Sequence, residues 1–122
     1  MNAIAQIAGE IFEETGKQPE QFELIREKGG ISVYRCVWDG KRAVAKHFAQ
    51  EGGRREIENY RLLMKNKVPT MRAFALCGSC ILMEDIDASD TWRMGIEEDL
   101  SDPDVLRSLA RWYFCLDRKS VV

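Results

Sequence analysis

What this chain lacks narrows it before any motif is read. It has one histidine and three prolines in 122 residues, and none of its apolar runs approaches the roughly 20 residues that a membrane-spanning helix needs. Eighteen lysines and arginines face 20 aspartates and glutamates, with the signs interleaved. The chain therefore offers no basic field to attract nucleic acid or a membrane surface. Met1 to Gln6 carry no positive charge ahead of an apolar stretch, and Glu10, Glu13 and Glu14 interrupt that stretch, which argues against a signal or transit peptide. Four cysteines, Cys36, Cys77, Cys80 and Cys115, read as reduced thiols of a cytoplasmic protein rather than as a disulfide framework. No internal repeat or low-complexity tract is present, and the length suits one domain with a single core.

What is present alternates between helix and strand signals. Ile4, Ile7, Ala8, Ile11 and Phe12 recur at helical spacing with Gly16 as a stop, so the pattern predicts a helix over 2–15. Phe22, Leu24 and Ile25 lead as a strand into the turn Gly29-Gly30. From Ile31 on, Val33, Arg35 and Val37 alternate with Tyr34, Cys36 and Trp38 as a strand with two usable faces, Asp39-Gly40 follows, and Arg42 to Phe48 returns. Asp-Gly between two such runs is a strong hairpin signal, because both central residues of a type I′ turn need positive φ. Gln50 to Gly53 reads as a loop, Arg54 to Lys65 as a helix, and Val68-Pro69-Thr70 as its end. Two further strands, Arg72 to Cys77 and Cys80 to Ile86, are joined by Gly78-Ser79. Asp87 to Asp99 is polar and irregular apart from Trp92, Met94 and Ile96. Ser101-Asp102-Pro103-Asp104 then opens a capped helix. Its apolar residues, Val105, Leu106, Leu109, Ala110, Trp112, Tyr113 and Leu116, surround much of its circumference and call for neighbours on more than one side.

The candidate chemistry centres on Ala43-Val44-Ala45-Lys46. Lys46 shares a strand face with Val44, which gives a flat apolar wall followed by a charge, an arrangement that suits a nucleotide. Val33 on the facing strand is placed to close the same pocket, and Gly29-Gly30 would let backbone amides approach phosphate oxygens. On the helix that follows, Glu56, Ile57, Tyr60, Leu63 and Met64 share one face, whereas Glu58 points away with Leu62. Glu56 is thus the acid that turns inward towards Lys46.

From Phe22 to Leu116 the sequence resembles the aminoglycoside phosphotransferase and choline kinase-like group of the protein-kinase-like fold. The resemblance is carried by Gly29-Gly30-Ile31-Ser32-Val33-Tyr34-Arg35, Ala43-Val44-Ala45-Lys46, Arg55-Glu56-Ile57-Glu58-Asn59-Tyr60-Arg61-Leu62-Leu63, Val68-Pro69-Thr70 and Ile81-Leu82-Met83-Glu84-Asp85-Ile86, in that order. It implies an α+β fold: a kinase-like N-lobe at 21–87, with a five-stranded antiparallel sheet, one packed helix and a hinge. A helix and linker at 1–20 precede it, and the first helix of a second lobe at 88–116 follows. It also implies that ATP is the cofactor, that Lys46 binds the α- and β-phosphates, and that Glu56 orients Lys46. Met83 would back the adenine pocket, the Glu84 carbonyl and Ile86 N–H would read the adenine edge, and Ser32 would add a phosphate contact. The glycine turn departs from the full kinase pattern, having two adjacent glycines and no third.

The catalytic aspartate, asparagine and Mg²⁺-holding aspartate of such kinases have no counterpart in this sequence, whose sole histidine, His47, belongs to no His-x-Asp motif. Mg²⁺ and a small-molecule acceptor are expected only with the remainder of such a protein. Asp117-Arg118-Lys119-Ser120-Val121-Val122 reads like the in-frame translation of a sequencing adaptor, so the expectation is a truncated gene with Leu116 as its last genuine residue. The function expected is the ATP-binding fragment of a small-molecule kinase. The alternative is a stand-alone, non-catalytic nucleotide- or protein-binding module.

Four other features take blander readings. Cys77-Gly78-Ser79-Cys80 has a metal or redox form, but without a second ligand pair it reads as a hairpin turn. Asp85, Asp87 and Asp90 read as hinge and solvent-exposed loop acids. Trp92, Trp112, Tyr113 and Phe114 read as core residues of an absent lobe, and His47, on the strand face opposite Lys46, as a surface residue.

Overall fold

The computed structural model describes residues 3–68, 70–88 and 95–120, with side chains as far as Phe114 in the last stretch. Ile7, Ala8 and Ile11 line the buried side of α1 (Ala3–Thr15). Gly16 ends it at φ +78°, where a residue without Cβ is unstrained, and its N–H donates to the Phe12 carbonyl at 2.8 Å. Three antiparallel strands follow, β1 (Glu20–Lys28), β2 (Ile31–Trp38) and β3 (Lys41–Phe48). Their two-residue turns, Gly29-Gly30 and Asp39-Gly40, have positive φ throughout, at 59°, 81°, 51° and 73°. This is the type I′ chemistry that matches the twist of the flanking strands.

Helix α2 (Arg55–Lys65) precedes β4 (Ala73–Leu76) and β5 (Cys80–Glu84). The sheet order is β1-β2-β3-β5-β4, so β5 returns beside β3 and makes β3 the central strand. Among the described residues the architecture is α+β, with three helices and one five-stranded antiparallel sheet, and no helix is long and apolar enough to cross a membrane.

Several boundaries differ from the sequence expectation. The segment read as a loop at Gln50 to Gly53 is largely a 3₁₀ turn, Glu51–Arg54, which feeds straight into α2. That helix ends at Lys65, and just past it, with Lys67 at φ +57°, the Lys67 and Val68 N–H groups donate to the Met64 and Leu63 carbonyls, a closing motif that satisfies two terminal acceptors. Pro69, expected to end it, lies outside the described residues, as do Asp90, Trp92 and Met94. Strand β5 stops at Glu84, and Ile86 enters a 3₁₀ turn, Ile86–Ala88. Further on, α3 (Pro103–Ser120) begins as expected, with Asp102 Oδ1 accepting the Asp104 N–H at 2.9 Å. Leu106, Leu109, Tyr113 and Phe114 are exposed along it.

Strand alternation divides the core in two. One sheet face buries Tyr34, Cys36, Ala43, Ala45, Cys80 and Leu82 against Ile7 and Ile11 of α1. The other buries Phe48 and Ile81 against Ile57 of α2, flanked by Ile31, Tyr60 and Met83. His47, expected at the surface, is a correction: it lies on the α1 face, is 5% exposed, and its Nε2 meets Gln6 Oε1 at 3.0 Å. The helix covers a face that alternation alone left open. Burial and the charge of Arg54 hold the His47 imidazole below its ordinary 6.5, against the opposing pull of Glu10.

Truncating Ile11 to alanine removes a fully buried side chain and is expected to destabilise the fold by about 2–5 kcal/mol in urea unfolding; a cost under ~0.5 kcal/mol would show that α1 is peripheral. Because His47 binds its proton less readily when folded, the unfolded chain is protonated first as pH falls through 6.5, and stability drops there. Urea midpoints from about pH 7 to about pH 5 should fall less steeply in His47→Gln than in the parent, and equal slopes would remove His47 from the account.

Candidate functional site

The site is built on β3 where its outward alternation meets α2. Lys46 Nζ donates to both oxygens of Glu56, at 2.9 Å to Oε1 and 2.8 Å to Oε2. The sequence expectation that Glu56 turns inward is met, and Glu58 points out to Arg61 at 2.9 Å. Phe48 lies below the ammonium, with its ring centroid 5.7 Å from Nζ, and favours the cation there. The Lys46 side chain is 27% exposed and that of Glu56 43%. Such a pair adds no more than about 1 kcal/mol to stability, and its effect is to fix where the ammonium stands.

Above Lys46 lies a cleft of about 260 Å³ lined by Arg26, Lys28, Ile31, Val33 and Lys46. Val33 is the register partner of both Lys46 and Arg26, and Lys28 pairs with Ile31 across the Gly29-Gly30 turn. Three cations thus converge on one small concavity with an apolar floor. Arg26 and Lys28 were not among the expected site residues. The two glycines form the turn at the cleft's end without lining it, and the Gly30 carbonyl accepts the Ala49 N–H at 2.8 Å. Ser32 is not brought to this site: it is buried on the α1 face, and its hydroxyl donates to Glu27 Oε2 at 3.4 Å.

Val44 and Met83 are register partners beside Lys46 and Ile81, so the apolar wall expected next to the charge is assembled on this face. Glu84 closes β5, with its N–H donating to the Arg72 carbonyl and its carboxylate accepting the Arg72 N–H. At the strand end, Asp85 corrects the reading of a solvent-exposed acid. It is 2% exposed, and its Oδ2 accepts from Arg35 at 3.1 Å and Arg42 at 3.0 Å, while Oδ1 accepts the Asp87 N–H. Asp87 is exposed and takes the other end of the Arg35 guanidinium at 3.2 Å. These ties place Arg35 beside Val44, its register partner.

Among the described residues Cys36, Cys77 and Cys80 are free thiols. Burial, helped by the charge of Asp85, pushes Cys36 up to about 12 and keeps it inert. Cys80 donates its S–H to Cys77, which lowers the Cys77 thiol and, with burial, raises Cys80. The side chain of Cys115 lies outside the described residues.

Replacing Asp85 by alanine strips the acceptor from two guanidinium groups and from the Asp87 turn. The expected loss is about 1–3 kcal/mol by urea unfolding, with Asp85→Asn losing less because the turn acceptor remains; a loss near zero would mean that the pair is screened like a surface one. Compared with protein-family models and with curated proteins, the sequence matches none, so the reading of this site rests on its own geometry.

Proposed function

We propose that this chain is the nucleotide-binding lobe of an ATP-dependent small-molecule phosphotransferase, of the protein-kinase-like fold that its motifs resemble. The observation that carries this reading is the Lys46–Glu56 pair under a cleft that also holds Arg26 and Lys28. Three cations in a small cleft suit a polyphosphate, which needs several donors within one short span. Lys46 is the fixed donor, since Glu56 holds its ammonium against the strand. Beside it, Val33, Val44 and Met83 give an apolar surface for the base, and the chain segment from Glu84 to Ile86 supplies backbone groups at its edge. In this reading the lobe binds and orients ATP, and transfer to a hydroxyl acceptor needs an acid or base that these site residues do not include.

Calorimetry of the 122-residue chain with ATP should give one site per chain. ADP should compete and adenosine should compete far less, because the cations read phosphate, and affinity should fall as salt rises. Lys46→Met is expected to weaken ATP binding at least about tenfold, the size of one lost charge-assisted hydrogen bond, and Arg26→Ala by a smaller factor. Absence of ATP binding in the folded parent, or unchanged binding in Lys46→Met, would overturn the proposal.

A further inference from the structure

On the opposite sheet face, the turn Cys77-Gly78-Ser79-Cys80 joins β4 to β5. The Cys77 N–H donates to the Cys80 carbonyl at 2.9 Å, so both cysteines leave one tight hairpin, and both are buried. Glu10 of α1 reaches the same turn. Its Oε1 accepts the Ser79 N–H at 2.9 Å and its Oε2 accepts the Ser79 hydroxyl. A carboxylate oxygen of Glu10 and the two sulfurs all lie within 4.8 Å of one another.

From this geometry we propose that Glu10, Cys77 and Cys80 bind a zinc ion that ties α1 to the β4–β5 turn. Two thiolates and a carboxylate are the donors that zinc takes in tetrahedral sites, and thiolate excludes calcium and magnesium. With Zn–S near 2.3 Å and Zn–O near 2.0–2.2 Å, the edges of such a tetrahedron are about 3.5–3.8 Å. Closing the present donor spread requires movements of roughly 1 Å, within reach of side-chain rotation. Ser79 supplies the outer support, since its N–H and hydroxyl already aim the Glu10 carboxylate. The fourth position falls to water, because His47, the register partner of Cys80, has its Nε2 engaged by Gln6. Of the three donors, Cys77 also lines a cleft of about 500 Å³ between α2 and the turn. Binding releases the two thiol protons to water and changes no oxidation state. The site is independent of the Lys46 cleft.

The test is a titration of the reduced, metal-free full chain with Co²⁺, followed by displacement with Zn²⁺. One equivalent of cobalt should give the thiolate-to-metal charge-transfer absorption of two thiolates and the strong visible bands of a four-coordinate ion, which Zn²⁺ then bleaches. With zinc at a hundredfold excess over Kd, the thermal midpoint should rise by roughly 10 °C. Cys77→Ser and Cys80→Ser should each reduce the thiolate absorption. Ser79→Ala leaves every ligand in place and should weaken binding about 10- to 100-fold, and Glu10→Gln should weaken it by at least as much; circular dichroism of these two mild variants confirms that they fold. Three outcomes would overturn the site: no thiolate absorption in the folded, reduced parent, absorption undiminished in Cys80→Ser, or metal affinity unchanged in both Glu10→Gln and Ser79→Ala.

Discussion

Strand β3 is hydrogen-bonded to a neighbour on each side and covered by a helix on each face, so the alternation of its side chains governs the molecule. Ala43, Ala45 and His47 face α1, and the two alanines are small enough for Ile7 and Ile11 to reach the sheet. Val44, Lys46 and Phe48 face α2. A slip of one residue would drive the Lys46 ammonium under α1, away from Glu56, and would expose the alanines where Phe48 and Val44 now pack. The register is therefore fixed by the cost of burying one charge as much as by apolar contact. Lys46 keeps its stem among Phe48, Val33 and Ile81 while its head stays part-exposed, which is the only arrangement that satisfies both ends of the side chain.

Much of this was legible wherever a local rule has a single solution. Asp39-Gly40 and Gly29-Gly30 announced their turns because few residues accept positive φ at both positions, and helical phase separated Glu56 from Glu58 because the two differ by more than half a turn. The same alternation rule that placed Val33 beside Lys46 also sets its neighbour Ser32 on the other face, so that residue's distance from the site follows from a pattern already in hand. His47 is different in kind. Alternation states which face a side chain takes, but what covers that face depends on a helix more than 30 residues upstream.

Arg26 and Lys28 escaped for a subtler reason. Simple alternation sets Leu24 and Arg26 on one side of β1, yet Leu24 pairs with Tyr34 and Arg26 with Val33, on opposite faces of β2. An irregularity between Leu24 and Arg26 shifts the phase of the strand and carries the last cations of β1 over to the Lys46 side. That shift exists only in the pairing with β2, and no residue type in β1 marks it. Asp85 was missed on the same principle: its partners Arg35 and Arg42 lie on two other strands, and only the sheet order brings them to one carboxylate.

The consequence for the cleft is a division between a fixed charge and two adaptable ones. Lys46 sits on the central strand, and Glu56 takes two of its contacts. An ammonium has three donors, and a phosphate oxygen approaching from the open side therefore meets a charge whose position is already set. Arg26 and Lys28 lie on edge strand β1, which is exposed along nearly its whole length and beside a two-residue turn. Long side chains on such an edge lose more rotamer freedom when they close on an anion, so they favour a ligand with enough charge to offset that loss. In the proposed reading, a single phosphate would engage Lys46 alone at little ordering cost, whereas a chain of phosphates would recruit all three cations, so the geometry that anchors one charge would discriminate by the length of the anion.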